Sequence, residues 1–101
     1  MDIKVVTICG SMRFAKEMQD IARDLELKYG YAVIQCVYNI NQNQYTKHEL
    51  ENIVNAHWKK IDISDMIYVV NIDGNIGEST KNEIAYALKN GKQVCYHEDI
   101  E

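Results

Sequence analysis

Three stretches of this sequence gather residue types that can do chemistry. The first is Gly10-Ser11-Met12-Arg13, which follows a β-branched run over residues 3–9. A glycine there lets backbone come close to a ligand, and the helix that follows offers free N–H groups to an anion. Ser11 adds a hydroxyl and Arg13 can add charge-assisted hydrogen bonds. The same residues also make an ordinary strand-to-helix turn, with Ser11 as its cap. The second stretch runs from Asp73 through Gly74, Gly77, Glu78, Ser79 and Thr80 to Glu83. A helix opening at Ser79 or Thr80 aims its N-terminus at a ligand and sets the Glu83 carboxylate beside a bound anion. A carboxylate in that position suits a nucleophile, or an electrostatic stabiliser, at a sugar carbon that develops oxocarbenium character. The bland alternative is a capping box between Thr80 and Glu83, with acidic residues favoured by the helix dipole. Glu78 is a second carboxylate, in the loop. The third stretch is Ser64-Asp65, where Asp65 can cap, close a turn or reach a ligand.

Other reactive side chains give weaker signals. His48, His57 and His97 have no metal-ligand spacing with the three cysteines, so no metal site is expected. His57, beside Trp58, reads as packing. Cys9, Cys36 and Cys95 fall on expected strands, where small buried thiols are common, although Cys9 lies close to the first loop. Tyr38, Asn39, Asn41 and Tyr45 can line a nucleobase pocket or form a plain surface loop.

The elements that must position these residues alternate. Residues 3–9 form an expected strand buried on both faces. Phe14, Met18, Ile21, Ala22 and Leu25 have helical spacing over residues 12–29, and Gly30 stops that helix. Residues 31–38 read as a second strand. Thr46 and Glu49 form a capping box for a second helix carrying Leu50, Ile53, Val54, His57, Trp58 and Ile61. Residues 66–72 read as a third strand, a third helix runs to Asn90, and residues 93–96 form a fourth strand. The order βαβαβαβ with right-handed crossovers predicts an α/β, flavodoxin- or Rossmann-like three-layer sandwich. Its sheet is parallel, four- to five-stranded, with order 2-1-3-4. Ligands in such sheets bind beyond the carboxyl ends of the strands, where the order reverses. The loops at Gly10-Ser11 and at residues 71–80 lie there.

Composition bounds the reading. The 101 residues are 47% hydrophobic and 26% charged, which is globular, and they make one domain over residues 1–101. Eleven basic against fifteen acidic side chains, net −4, argue against a duplex nucleic-acid binder. No apolar run approaches the roughly 20 residues needed to cross a bilayer, and the first residues have no signal-peptide pattern, so the expectation is no membrane and a cytoplasmic protein. No cofactor motif is present.

The strand ending Cys9-Gly10-Ser11-Met12-Arg13-Phe14, taken with the run from Gly77-Glu78-Ser79-Thr80 through Glu83-Ile84-Ala85-Tyr86-Ala87, resembles the nucleoside 2-deoxyribosyltransferase family. The resemblance implies a Rossmann-like sheet and cleavage of the N-glycosidic bond of deoxynucleosides, with Glu83 matching the family's nucleophile. Ser64-Asp65 is similar to the family's Asn-Asp and implies an active-site Asp65. The Ser-Thr-x-x-Glu spacing also resembles the nucleoside-monophosphate phosphoribohydrolases. Ala85 stands where the family commonly has glycine, and the chain is shorter than full-length members. Taken together, the expected catalytic residues are Glu83 and Asp65. The expected binding residues are Gly10, Ser11, Arg13, Asp73, Gly77, Ser79 and Thr80, with Asp73 as the other candidate to orient or protonate the base. The expected partner is a nucleoside or nucleotide, bound by a homodimer or higher homo-oligomer that completes the pocket. The alternatives are a non-catalytic nucleotide-binding or sensor module on the same fold, and a protein-binding adaptor.

Overall fold

In a computed structural model that describes residues 2–38 and 44–99, four strands form one parallel sheet in the order β2-β1-β3-β4. The strands are β1 (Val5–Gly10), β2 (Ala32–Ile34), β3 (Met66–Val70) and β4 (Gln93–Tyr96). The helices are α1 (Ala15–Tyr29), α2 (Lys47–Asp62) and α3 (Glu78–Lys89), with 3-10 turns at Met12–Phe14 and Ile72–Gly74. Both the expected α/β sandwich and its strand order are observed. Among the described residues, no helix is long and apolar enough to cross a membrane.

Side-chain alternation along the two central strands builds two cores. Ile8 and Val70 join Phe14, Met18 and Ala22 of the α1 layer. Cys9, Ile67 and Val69 face the opposite way and join Ile61 of α2 and Ala87 of α3. The switch point therefore falls between β1 and β3, with α1 on one face and α2 and α3 on the other, as right-handed crossovers require. Gly10 has a packing reason to be glycine. A Cβ there would sit 3.1 Å from the Met18 sulfur and 3.2 Å from the Val70 Cβ. Its missing side chain makes room for α1 rather than for a ligand.

Two elements differ from the sequence expectation. The second strand is three residues long instead of eight, because at the sheet edge it pairs only with β1, over Ala32–Ile34. The first helix starts as a 3-10 turn capped by Ser11, whose hydroxyl accepts from the Arg13 N–H at 3.4 Å. The capping box of α2 forms as expected: the Thr46 hydroxyl accepts from the Glu49 N–H at 3.1 Å, and the Glu49 carboxylate accepts from the Thr46 N–H at 2.8 Å. Thr46→Ala is expected to cost about 1 kcal/mol. In thermal denaturation that reads as a Tm lower by roughly 4–8 °C for a domain of this size. An unchanged Tm would show that the box contributes nothing to stability.

Candidate active site

A cleft of about 640 Å³ opens at the carboxyl end of β1, beside Cys36 and Val37 after β2, within the usual range of roughly 300–1,000 Å³ for small-molecule sites. Its floor is the end of β1 with Cys9, Gly10 and Ser11, and its walls are α2 and the N-terminus of α3. Leu50, Ile53, Val54 and Trp58 give the α2 wall an apolar surface. Trp58 is held by Tyr86, with ring centroids 4.7 Å apart and planes tilted by 55°. Tyr86 is fixed in turn by donating its hydroxyl hydrogen to Asp62.

The α3 wall is polar. The helix begins at Glu78 with Gly77 as its N-cap, and Gly77 supplies no capping side chain. The first N–H to close an intrahelical bond is that of Lys81, to the Gly77 carbonyl at 3.0 Å. The N–H groups of the preceding first turn point outward at the cleft, with the positive end of the helix dipole. This start corrects the expected one. Thr80 is not a cap but a first-turn residue, only 2% exposed, and Glu83 lies beyond the first turn. The expected Thr80–Glu83 capping box is absent, so the bland explanation for Glu83 at this position lapses.

Glu83 meets a histidine and a cysteine. Its carboxylate Oε1 is 3.3 Å from His57 Nε2, with the two side chains 17% and 13% exposed. The same Nε2 lies 3.6 Å from Cys9 Sγ. Burial, and next the negative charge of Glu83, hold the Cys9 thiol well above its ordinary range. Cys9 therefore stays a neutral thiol at neutral pH and is a poor nucleophile. The contact with His57 leaves Glu83 as the acid-base and nucleophilic candidate of the cluster.

The structure gathers six of the expected residues at the cleft: Gly10, Ser11, Gly77, Ser79, Thr80 and Glu83. It does not bring the other three there. Asp65 sits at the amino end of β3, where its carboxylate accepts from the Val5 N–H at 2.8 Å and pins the start of β1. Parallel strands put that end a full strand length from the cleft. Asp73 occupies the left-handed region at φ 55° in the turn after β3, and its N–H donates to the Glu98 carboxylate at 3.1 Å. Asn71 and Glu98 exchange two further bonds there, so this corner ties β3 to the segment after β4. Arg13 points outward, its guanidinium 5.2 Å from the Phe14 ring centroid. Of the expected base-pocket residues Tyr45 lines the cleft, while Tyr38 donates to Gln35 at 2.8 Å. Asn39 and Asn41 lie outside the described residues.

His57, expected to pack beside Trp58, instead bridges Glu83 and Cys9. Its partners come from β1 and α3, so no local spacing announces it. The one available signal is its place on the apolar stripe of α2, where a polar ring must find a partner when it is buried. No protein-family model matches the chain, and no curated protein matches it.

Proposed function

We propose that this protein cleaves or exchanges the N-glycosidic bond of nucleosides or nucleoside monophosphates, with Glu83 as the nucleophile. The observation that carries the reading is the Glu83 carboxylate, largely buried and 3.3 Å from His57, in a cleft whose opposite wall is apolar and aromatic. An aromatic base suits the wall of Trp58, Ile53 and Val54. A sugar hydroxyl or 5'-phosphate suits the free N–H groups of the first turn of α3 and the exposed Ser79 hydroxyl, and Ser11 lines the same cleft.

The steps balance with these groups alone. A Glu83 oxygen attacks C1', and the C1'–N bond breaks with its electron pair leaving on the base. Protonated His57 supplies the proton that the departing nitrogen needs. Water or a second base then attacks C1' of the glycosyl ester, giving up a proton to neutral His57, and the Glu83 carboxylate is released. The role expected of Asp65 or Asp73 passes to His57, whose Nε2 lies 3.3 Å from the Glu83 carboxylate.

The test is a panel of nucleosides and nucleotides followed by chromatography for free base. Release from at least one member is expected, and release from none overturns the reading. Ligand-induced stabilisation without release would instead point to a nucleotide-binding module. Asp65→Ala is expected to lower Tm by a few degrees, because the Val5 N–H loses its acceptor, and to leave kcat/KM for base release within about twofold of the wild type. A loss as large as that from changing Glu83 would return Asp65 to the site.

The expected homodimer is also proposed here. Leu50 and Val54, 49% and 52% exposed, stand at the lip of the cleft, where a second copy would cover them. Light scattering at working concentration is expected to give a dimer mass, and a monomer mass excludes the arrangement.

A further inference from the structure

The side chains of Cys9, His57 and Glu83 come from three different elements, β1, α2 and α3, and converge on one point of the cleft wall. Each offers one ligand atom, and the three atoms all lie within 4.8 Å of one another. We propose that these three residues form a mononuclear zinc site, and that a zinc ion held there occupies the carboxylate that the glycosidic chemistry needs.

The distances carry the proposal. On a tetrahedral zinc, with Zn–S of about 2.3 Å and Zn–N and Zn–O of about 2.0–2.1 Å, sulfur and nitrogen lie about 3.5 Å apart and nitrogen and oxygen about 3.3 Å apart. The observed separations are 3.6 Å from Cys9 Sγ to His57 Nε2 and 3.3 Å from His57 Nε2 to Glu83 Oε1. Two edges of the coordination tetrahedron already have their required lengths. The third, from Cys9 to Glu83, is no longer than 4.8 Å and closes by torsion of the flexible Glu83 side chain. The donor set is one thiolate, one imidazole and one carboxylate. Soft and borderline donors of this kind select zinc over calcium or magnesium, which take oxygen ligands. When zinc binds, the Cys9 proton leaves to solvent and the sulfur coordinates as thiolate. Three protein ligands leave the fourth position to the open side of the cleft, as in zinc sites that keep an exchangeable water. The surroundings hold the thiol in a fixed place. Cys9 is 1% exposed and packs with Ile61, Val69 and Ala87, with Trp58 against the same cluster.

The metal site itself does not depend on the glycosidic reading. Its inhibitory consequence does rest on that reading, since a coordinated Glu83 cannot attack C1'. The two are separated by measuring binding without substrate. Purified protein, stripped with chelator, is titrated with Co(II) as a spectroscopic stand-in for zinc, and zinc is then added in competition. The expected result is one equivalent bound, with a thiolate-to-cobalt charge-transfer band and the intense visible bands of tetrahedral cobalt, both abolished by stoichiometric zinc. Cys9→Ser is expected to lose the charge-transfer band and to weaken metal binding at least 100-fold, since changes even to outer partners of a ligand cost about 10–100-fold. His57→Gln, checked for a native circular dichroism spectrum, is expected to weaken binding similarly and serves if Cys9→Ser fails to fold. Absence of a saturable equivalent at micromolar metal, or binding that both variants leave intact, overturns the site. Where base release is found, stoichiometric zinc is expected to suppress it and chelator to restore it. Zinc binding with no base release from any substrate would leave the metal site standing and sink only the glycosidic reading.

Discussion

Glu83→Gln is expected to lower kcat for base release by roughly 1,000-fold or more, the scale on which enzymes lose rate when a covalent nucleophile is removed. The amide has nearly the shape of the carboxylate, so it fills the same space beside His57 and can still accept a hydrogen bond from Nε2. What it lacks is the negative charge that makes the carboxylate oxygen a nucleophile and lets it form a neutral ester with C1'. The free N–H groups at the start of α3 and the Trp58 wall remain, so substrate binding should survive, and the loss should fall on kcat with KM little changed. Chromatography of released base gives the rate. Mass spectrometry of protein quenched during turnover should show a sugar adduct on the peptide containing Glu83 in the wild type and none in the variant. A variant within tenfold of wild-type activity would mean that Glu83 is not the nucleophile.

The sheet was readable from the sequence because its signals are local. Each strand is a short apolar run, each helix has a 3.6-residue stripe, and handedness then leaves one sensible order for βαβαβαβ. The observed order β2-β1-β3-β4 follows from those rules. The site was readable only where a single loop carried it. Ser11 lies in the first of the two segments that any such sheet points at its ligand, and the Gly77–Glu83 run, at the start of α3, lies in the second. What escaped was whatever depends on contacts distant in sequence. His57 meets Cys9 across 48 positions, and no window of the sequence contains both. Asp65 shows the opposite case. Its neighbourhood resembles a motif, but a residue at the amino end of a parallel strand faces the wrong end of the sheet, and here its carboxylate is engaged by the Val5 N–H. The start of α3 lies earlier than the Ser79 or Thr80 cap that the sequence predicts, with Gly77 as its N-cap. Once Gly77 takes that place, Thr80 turns inward and Glu83 moves past the first turn toward His57.

Ile67→Ala should destabilise the fold by about 2–5 kcal/mol, the range for deleting most of a buried aliphatic side chain when the cavity only partly collapses. Ile67 is fully buried, and its ladder neighbours are Thr7 on β1 and Val94 on β4, so it stands at the middle of the sheet where backbone cannot close in. Domains of this kind hold only about 5–15 kcal/mol in all. The Tm should therefore fall by about 10 °C or more. The void opens in the cluster of Cys9, Ile61, Val69 and Ala87, on which Trp58 and Ile84 also pack. Trp58 and Ile84 are the sequence neighbours of His57 and Glu83, so the loss reaches the cleft through the two helices that carry it. Ile67→Ala should accordingly loosen the His57–Glu83 contact and lower base release below the level that the folded fraction alone explains. Ile67→Val, which keeps the β-branch, should cost only about 0.5–1.5 kcal/mol. Ile63→Ala offers the contrasting position, since Ile63 is 57% exposed and its removal should change stability by no more than about 0.5 kcal/mol. Chemical denaturation of the three variants orders them directly. If Ile67→Ala matched Ile63→Ala, the packing between the β3 strand and the α2 and α3 layer could not be what holds the site together.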